Sequence, residues 1–202
     1  MAKKTIKKEI EQKEIKDVQE KIVQVKREVA VKAYLVDKER VISEDSNAAR
    51  ELYNKSRFGT LVETKVELGL IEAYYLVDKA RMAVYNLRDQ LISKQQFFTV
   101  VSKREKNFWV KYCVYKDLRD RGYIIKTALK FGADFRVYDR GIFPGDDHAK
   151  WIVYPVHEKK HLTWHDFSAK NRVAHSTKKR LLLGIVDEEG DVSYWESRWL
   201  RP

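Results

Sequence analysis

Gly122-Tyr123-Ile124-Ile125-Lys126 and, after a short interval, Phe131-Gly132-Ala133-Asp134-Phe135-Arg136-Val137-Tyr138 make up the segment that decides how the second half of this chain folds. Residues 123–126 and 135–138 are short runs of β-branched and aromatic residues, which read as two strands, with 131–134 as the turn before the second. Upstream, residues 108–121 read as a helix with Tyr112, Tyr115 and Leu118 on one face, and Gly122, free to take a positive φ, stops it. Downstream, a long loop over 139–147 leads to a strand over 150–156. Thr163-Trp164-His165-Asp166 has the form of a capping box and opens a helix through Asn171 and His175. Residues 181–186 then enter the sheet as a buried apolar strand, and a last hairpin closes over Asp187-Glu188-Glu189-Gly190-Asp191.

The first half shows no copy of this pattern. Residues 29–36 and 40–43 read as strands around the polar turn Asp37-Lys38-Glu39, followed by a helix capped near Ser46 and ended near Phe58-Gly59. A single alternating strand is expected over 61–68, broken by Gly69, then a helix over 71–79, a strand over 82–85 and a helix over 87–102. Ahead of all this, Ile15, Val18, Ile22, Val25 and Val29 recur at three- and four-residue steps within 5–29. That spacing reads either as an amphipathic helix or as a solvated basic tail. The organisation is therefore a basic extension (1–28), a small α/β domain (29–102) and a second α/β domain (103–202) around a mixed sheet, an α+β class.

Composition narrows the function. The chain has 202 residues and carries a formal charge of +11, which favours phosphate polyanions through counterion release. Lys and Glu also accumulate on ordinary solvated faces, so charge alone leaves nucleic-acid binding open. The 11 tyrosines, 8 phenylalanines and 5 tryptophans offer rings for stacking unpaired bases, most of them already required by the core. No stretch approaches the roughly 20 apolar residues of a membrane span, and the lysine-rich start lacks the apolar stretch of a secretory signal. A cytoplasmic protein is expected. The single Cys113 excludes an internal disulfide and cysteine-based zinc sites, and reads as a small buried helix residue. His157, His161 and His165 lie four apart, yet Pro155 stands just ahead of them and the helical zinc-motif context is missing, so no metal site is expected.

Four blocks in order carry a resemblance: 122–126, 130–138, Asp147-His148-Ala149-Lys150, and Arg172-Val173-Ala174-His175-Ser176-Thr177-Lys178-Lys179. Together they resemble the archaeal tRNA-splicing endonucleases, over 110–202 and again over 29–79, with nothing comparable in the first 28 residues. The resemblance implies an enzyme that excises introns from precursor tRNA at a bulge-helix-bulge, without metal or other cofactor. It leaves a 2',3'-cyclic phosphate and a 5'-hydroxyl. By position in the family pattern, the catalytic residues are Tyr138, His148 and Lys179. Arg172 corresponds to one of two arginines that pinch a bulged base from a neighbouring subunit, and Arg198 is the candidate for the other. The acidic turn Asp187, Glu188, Glu189 and Asp191 matches a loop that enters a basic cleft of another subunit, implying a tetramer of identical chains or of two related ones.

The chemistry fits those residue types. A 2'-hydroxyl attacking its own phosphate needs a base for its proton, an acid for the departing 5'-oxygen and positive charge on the phosphorane. An imidazole with an ordinary pKa of about 6.5 suits the acid, so His148 takes that role. A phenol with an ordinary pKa near 10 is a weak base unless cations lower it, so Tyr138 either takes the proton or only orients the 2'-hydroxyl. Lys179, with Lys178 and Arg180 beside it, supplies the positive charge. Taken singly, the three read as a strand-end aromatic, a loop histidine and part of a solvated cluster. Arg172 likewise reads as a solvated helix arginine, and the acidic turn as a polar hairpin. The rival function is a non-catalytic RNA-binding structural subunit of the same complex, which has no need of all three residues at these spacings.

Overall fold

A computed structural model describes residues 31–128, 132–145 and 147–200, so the amphipathic segment 5–29 lies outside the described residues. The first half contains β1 (Val31–Leu35), β2 (Arg40–Ser43), α1 (Asn47–Ser56), β3 (Thr60–Val62), β4 (Lys65–Gly69), α2 (Leu70–Asp78), β5 (Met82–Tyr85) and α3 (Lys94–Arg104). Its sheet runs β3-β4-β2-β1-β5 and is antiparallel except where β1 meets β5. The turn between β1 and β2 is organised by Asp37, whose Oδ1 accepts from the backbone N–H of Glu39 at 2.8 Å and of Arg40 at 2.9 Å. Ser46 caps α1 by accepting from the Ala49 N–H at 3.1 Å, as expected from the sequence.

Two elements differ from the sequence reading. The single strand expected over 61–68 is a hairpin, β3 and β4, with Val62 paired to Lys65 and Glu63 at φ 55 in the turn between them. A two-residue turn reverses the in–out phase, so Val62, in step with Val66 and Leu68 along the sequence, lies on the opposite face from them and is 50% exposed while they are buried. The even spacing that suggests one strand does not survive the turn. The helix expected from residue 87 begins only at Lys94. Asn86 Oδ1 holds residues 86–90 in a turn by accepting from the Arg88 and Gln90 N–H groups at 2.9 and 3.0 Å. Ser93 and Gln96 then form a reciprocal capping box. Leu87 and Leu91, inside the span expected as helix, are exposed at 71% and 46%.

The second half contains α4 (Phe108–Asp120), β6 (Ile124–Thr127), β7 (Phe135–Tyr138), β8 (Trp151–His157), α5 (Trp164–Ser176), β9 (Arg180–Val186) and β10 (Val192–Ser197). The sheet order is β10-β9-β8-β7-β6, mixed because β8 and β9 alone run parallel. One face packs on α4, where Ile125, Phe135, Val137, Val153 and Leu182 join Val114, Tyr115 and Leu118. The other packs on α5, where Ile152, Tyr154 and Leu181 meet Ala174 and Phe167. Cys113 is buried in α4, as expected, and burial pushes its thiol up to about 11, which leaves it unreactive near neutrality.

The two halves share apolar packing. Tyr74 of α2 lies 4.8 Å from the Tyr112 ring and 5.2 Å from the Phe108 ring, both in T-shaped contacts, with Phe97 at 6.1 Å. The Tyr112 hydroxyl donates to the Asp78 carboxylate. Arg119 of α4 donates to the Ser56 carbonyl at 2.9 Å, and the Lys126 ammonium of β6 donates to the Gly59 carbonyl. Among the described residues no helix is long and apolar enough to cross a membrane.

Candidate active site

The site follows from strand direction. β7 runs antiparallel to β8, and β8 parallel to β9, so the end of β7 and the starts of β8 and β9 share one edge of the sheet. α5 makes the crossover that brings the chain back to that edge. The last paired positions are Val137 with Trp151 and Trp151 with Arg180. Tyr138, Lys150 and Lys179 therefore stand in one row just beyond them. Two bonds tie that row together: Lys150 N–H donates to the Val137 carbonyl at 2.9 Å, and Arg180 N–H to the Lys150 carbonyl at 3.0 Å. Two strand spacings separate the Tyr138 and Lys179 backbones by about 10 Å. His148 lies two residues before Lys150, exposed, with its backbone N–H donating to Asp147 Oδ1 at 2.6 Å.

Each side chain has a local reason for its place. Tyr138 is buried, its ring packed with Ile124 and Ala149 and covered by Ile142 and Phe143 from the loop before His148. Lys179 is placed by the end of α5. Lys178 takes the left-handed conformation at φ 55, the Lys179 N–H donates to the Ala174 carbonyl at 2.8 Å, and the Lys178 N–H to the His175 carbonyl at 3.0 Å. This is a Schellman stop with a lysine where glycine is usual. The half-buried Lys179 Nζ donates to the Thr177 carbonyl at 2.9 Å. Burial, and then the charge of Arg136, hold the Lys179 ammonium below the ordinary lysine value.

A cavity of about 250 Å³ opens beside Lys179, lined among others by His175, Lys178, Arg180, Arg198 and Trp199. The His175 and Trp199 rings lie 5.3 Å apart, tilted by 37°. Arg180 and Arg198 are both engaged by Glu196, whose Oε1 accepts from Arg198 Nε at 2.7 Å and Arg180 Nη1 at 3.3 Å, while its Oε2 accepts from Trp151 Nε1 at 2.7 Å. Burial by itself raises the Glu196 carboxyl, but the Trp151 and Arg198 hydrogen bonds and the two arginine charges hold it below the usual carboxylate range. Arg172 is exposed on α5, one helical turn before His175. The acidic turn is elsewhere: Asp187, Glu188, Glu189 and Asp191 follow the far end of β9, about 20 Å from its start. Asp187 Oδ1 accepts from the Glu189 and Asp191 N–H groups at 3.0 and 2.9 Å, and Glu188 pairs with Lys159.

The catalytic C-terminal domain of tRNA intron endonucleases matches residues 108–194, and the N-terminal domain of the same enzymes matches 31–98. This chain belongs to the tRNA intron endonuclease family. It is 44% identical over 163 residues to the tRNA-splicing endonuclease of Thermococcus gammatolerans, covering 81% of this chain and 95% of the relative. The tRNA-splicing endonuclease of Nanoarchaeum equitans is 47% identical over 148 residues, covering 70% of this chain and 94% of the relative. That of Methanothermobacter thermautotrophicus is 39% identical over 157 residues, covering 78% and 91%. The family is one of enzymes, and this chain carries its catalytic domain.

Sequence reasoning assigns no role to Arg136, Lys150 or Trp199, which the fold brings to the same edge or its cavity. For Arg136 a signal exists: it stands two residues before Tyr138 on a strand, hence on the same face. For Trp199, at the end of the described chain, there is none. The strained Lys178 permits a clean test of its charge. Lys178→Gly relieves the left-handed backbone, so the denaturant midpoint is expected to hold or rise, by about 0.5–1 kcal/mol, while RNA affinity falls and its salt dependence weakens by about one counterion. Salt-dependent binding curves beside urea melts check both.

Proposed function

We propose that this chain cuts precursor tRNA at bulge-helix-bulge sites without metal, leaving a 2',3'-cyclic phosphate and a 5'-hydroxyl. The reading is carried by one observation: Tyr138 and Lys179 end in one row of adjacent strands, with His148 on the loop that enters it. Tyr138 takes or orients the proton of the 2'-hydroxyl as that oxygen attacks the phosphorus. His148 gives a proton to the 5'-oxygen as its bond to phosphorus breaks, and Lys179 meets the charge on the phosphorane. Lys178 holds the RNA backbone. Arg172 and Arg198 hold an unpaired base, with the His175–Trp199 pair as a stacking surface beside them. Arg180 is tied to Glu196 and contributes mainly field.

In this reading residues 29–102 form the N-terminal domain and 103–202 the nuclease domain, and the enzyme works in the cytoplasm. It assembles as a tetramer of identical chains, or of this chain with a related subunit, through the turn of Asp187, Glu188, Glu189 and Asp191. The placement of that turn away from the catalytic edge supports this, since it leaves the edge free for RNA.

The experiment is cleavage of a bulge-helix-bulge RNA by the purified chain in EDTA, with the ends mapped. Cyclic-phosphate and 5'-hydroxyl ends are the expected products. Loss of cleavage on chelation, or products with 3'-hydroxyl ends, overturns the reading. Cleavage that begins only when a related subunit is added assigns the mixed tetramer.

A further inference from the structure

We propose that Arg136 is a positioning residue for the cleavage chemistry: its guanidinium packs on the Tyr138 ring and sets a permanent positive charge beside both Tyr138 and Lys179. The inference rests on the roles given above to those two residues. Arg136 and Tyr138 are alternate residues of β7 and share a face of the sheet. The Arg136 guanidinium carbon lies 5.9 Å from the centre of the Tyr138 ring, within reach of a cation–π contact. Its Nε is buried and has no hydrogen-bond partner among the described residues, nor does any described carboxylate pair with it.

That isolation is the reason for assigning it a task. Lys126, directly opposite on β6, is also largely buried, but its ammonium donates to the Gly59 carbonyl and lies 3.9 Å from the Glu72 carboxylate. Two cations facing each other across strands repel, and among the described residues only Lys126 has a counter-charge. An arginine cannot shed its proton to relieve this. With no counter-charge among the described residues, Arg136 stands on the same face as Tyr138, two residues from the edge where the phosphate is to be handled.

Other described charged groups near this edge have partners of their own or lie at the cavity wall. Lys150, just before β8, is paired to Asp139 at 2.5 Å. Arg180 and Arg198 are held by Glu196. His175 and Lys178 come from α5 and its cap, at the cavity wall. Arg136 is the cation whose charge acts on Lys179, after burial, in keeping its ammonium below the ordinary value.

The test compares Arg136→Gln, Arg136→Met and Arg136→Lys in single-turnover cleavage across pH, with Tyr138→Phe and Lys179→Ala alongside. Met removes the charge without leaving a polar group to satisfy, and serves where Gln fails to fold. Either neutral variant is expected to lose about tenfold in rate at neutral pH, the scale of one such contact. The high-pH limb, where Lys179 loses its proton, moves upward, because removing a neighbouring cation lets the ammonium hold its proton longer. Arg136→Lys keeps the limb in place and recovers part of the rate. A folded neutral variant with wild-type rate and limb overturns the inference, as does a Lys variant that shifts the limb like the neutral ones. If Tyr138→Phe and Lys179→Ala cleave normally, the assignment of the site falls and this inference with it. If both lose activity while the neutral Arg136 variants do not, the inference alone falls.

Discussion

His148→Ala is expected to lower single-turnover cleavage by about 10²–10⁴-fold while leaving RNA binding within a few-fold of the parent, the range associated with loss of a general acid. The side chain is suited to a clean measurement. It is exposed on the loop before β8, and the bond that anchors this residue, from its N–H to Asp147, belongs to the backbone and survives the substitution. A surface substitution of that kind shifts stability by no more than about 0.5 kcal/mol. The rate loss is therefore read against unchanged unfolding curves and an unchanged binding isotherm. A substrate with a 5'-thio leaving group, which departs without a proton, is expected to restore most of the rate. Restoration is the mark of the acid role, and a variant that cleaves the natural substrate normally rejects it.

Gly59→Ala is expected to destabilise the chain by about 3 kcal/mol, from two separate causes. Gly59 sits at φ +61, and an L-residue there costs about 1–2 kcal/mol. An added Cβ also meets the Glu67 carbonyl oxygen at 2.3 Å and a Val66 methyl at 2.7 Å, and pushing the backbone aside costs about 1–3 kcal/mol. The position is a junction: the Gly59 N–H donates to Glu72 at 3.2 Å, and the Gly59 carbonyl accepts from Lys126 of the second half. Gly122→Ala separates the causes, because Gly122 has φ +87 but a Cβ added there meets nothing within 4 Å. It is expected to cost about 1–2 kcal/mol. Urea midpoints of the two variants check the difference, and equal losses reject the clash.

The two glycines mark the limits of reading this chain by sequence. Gly122 ends α4 where a helix stop is expected, but the contact that makes Gly59 intolerant lies on β4, which no local pattern foretells. The same division runs through the elements. β7 falls on Phe135–Tyr138 as read, and α5 opens on its Thr163–Asp166 box, since strand alternation and caps are local effects. The β3–β4 hairpin and the late start of α3 escape such a reading, because each is set by a turn, one at Glu63 with a positive φ and one held by the Asn86 side chain, that the spacing of apolar residues does not register.

For the site, residue types and order were legible through the family resemblance, and the chemistry of a phenol, an imidazole and an ammonium follows from them. Sequence by itself determined which groups are present and the strands and helix that carry them. Their placement along one edge of the sheet was decided by tertiary structure alone. The parallel pairing of β8 with β9, joined through α5, returns Lys179 to the edge where antiparallel β7 delivers Tyr138. Strand direction is chosen by the packing of α4 and α5 on opposite faces of the sheet, a long-range balance of buried apolar surface that no short stretch of sequence encodes.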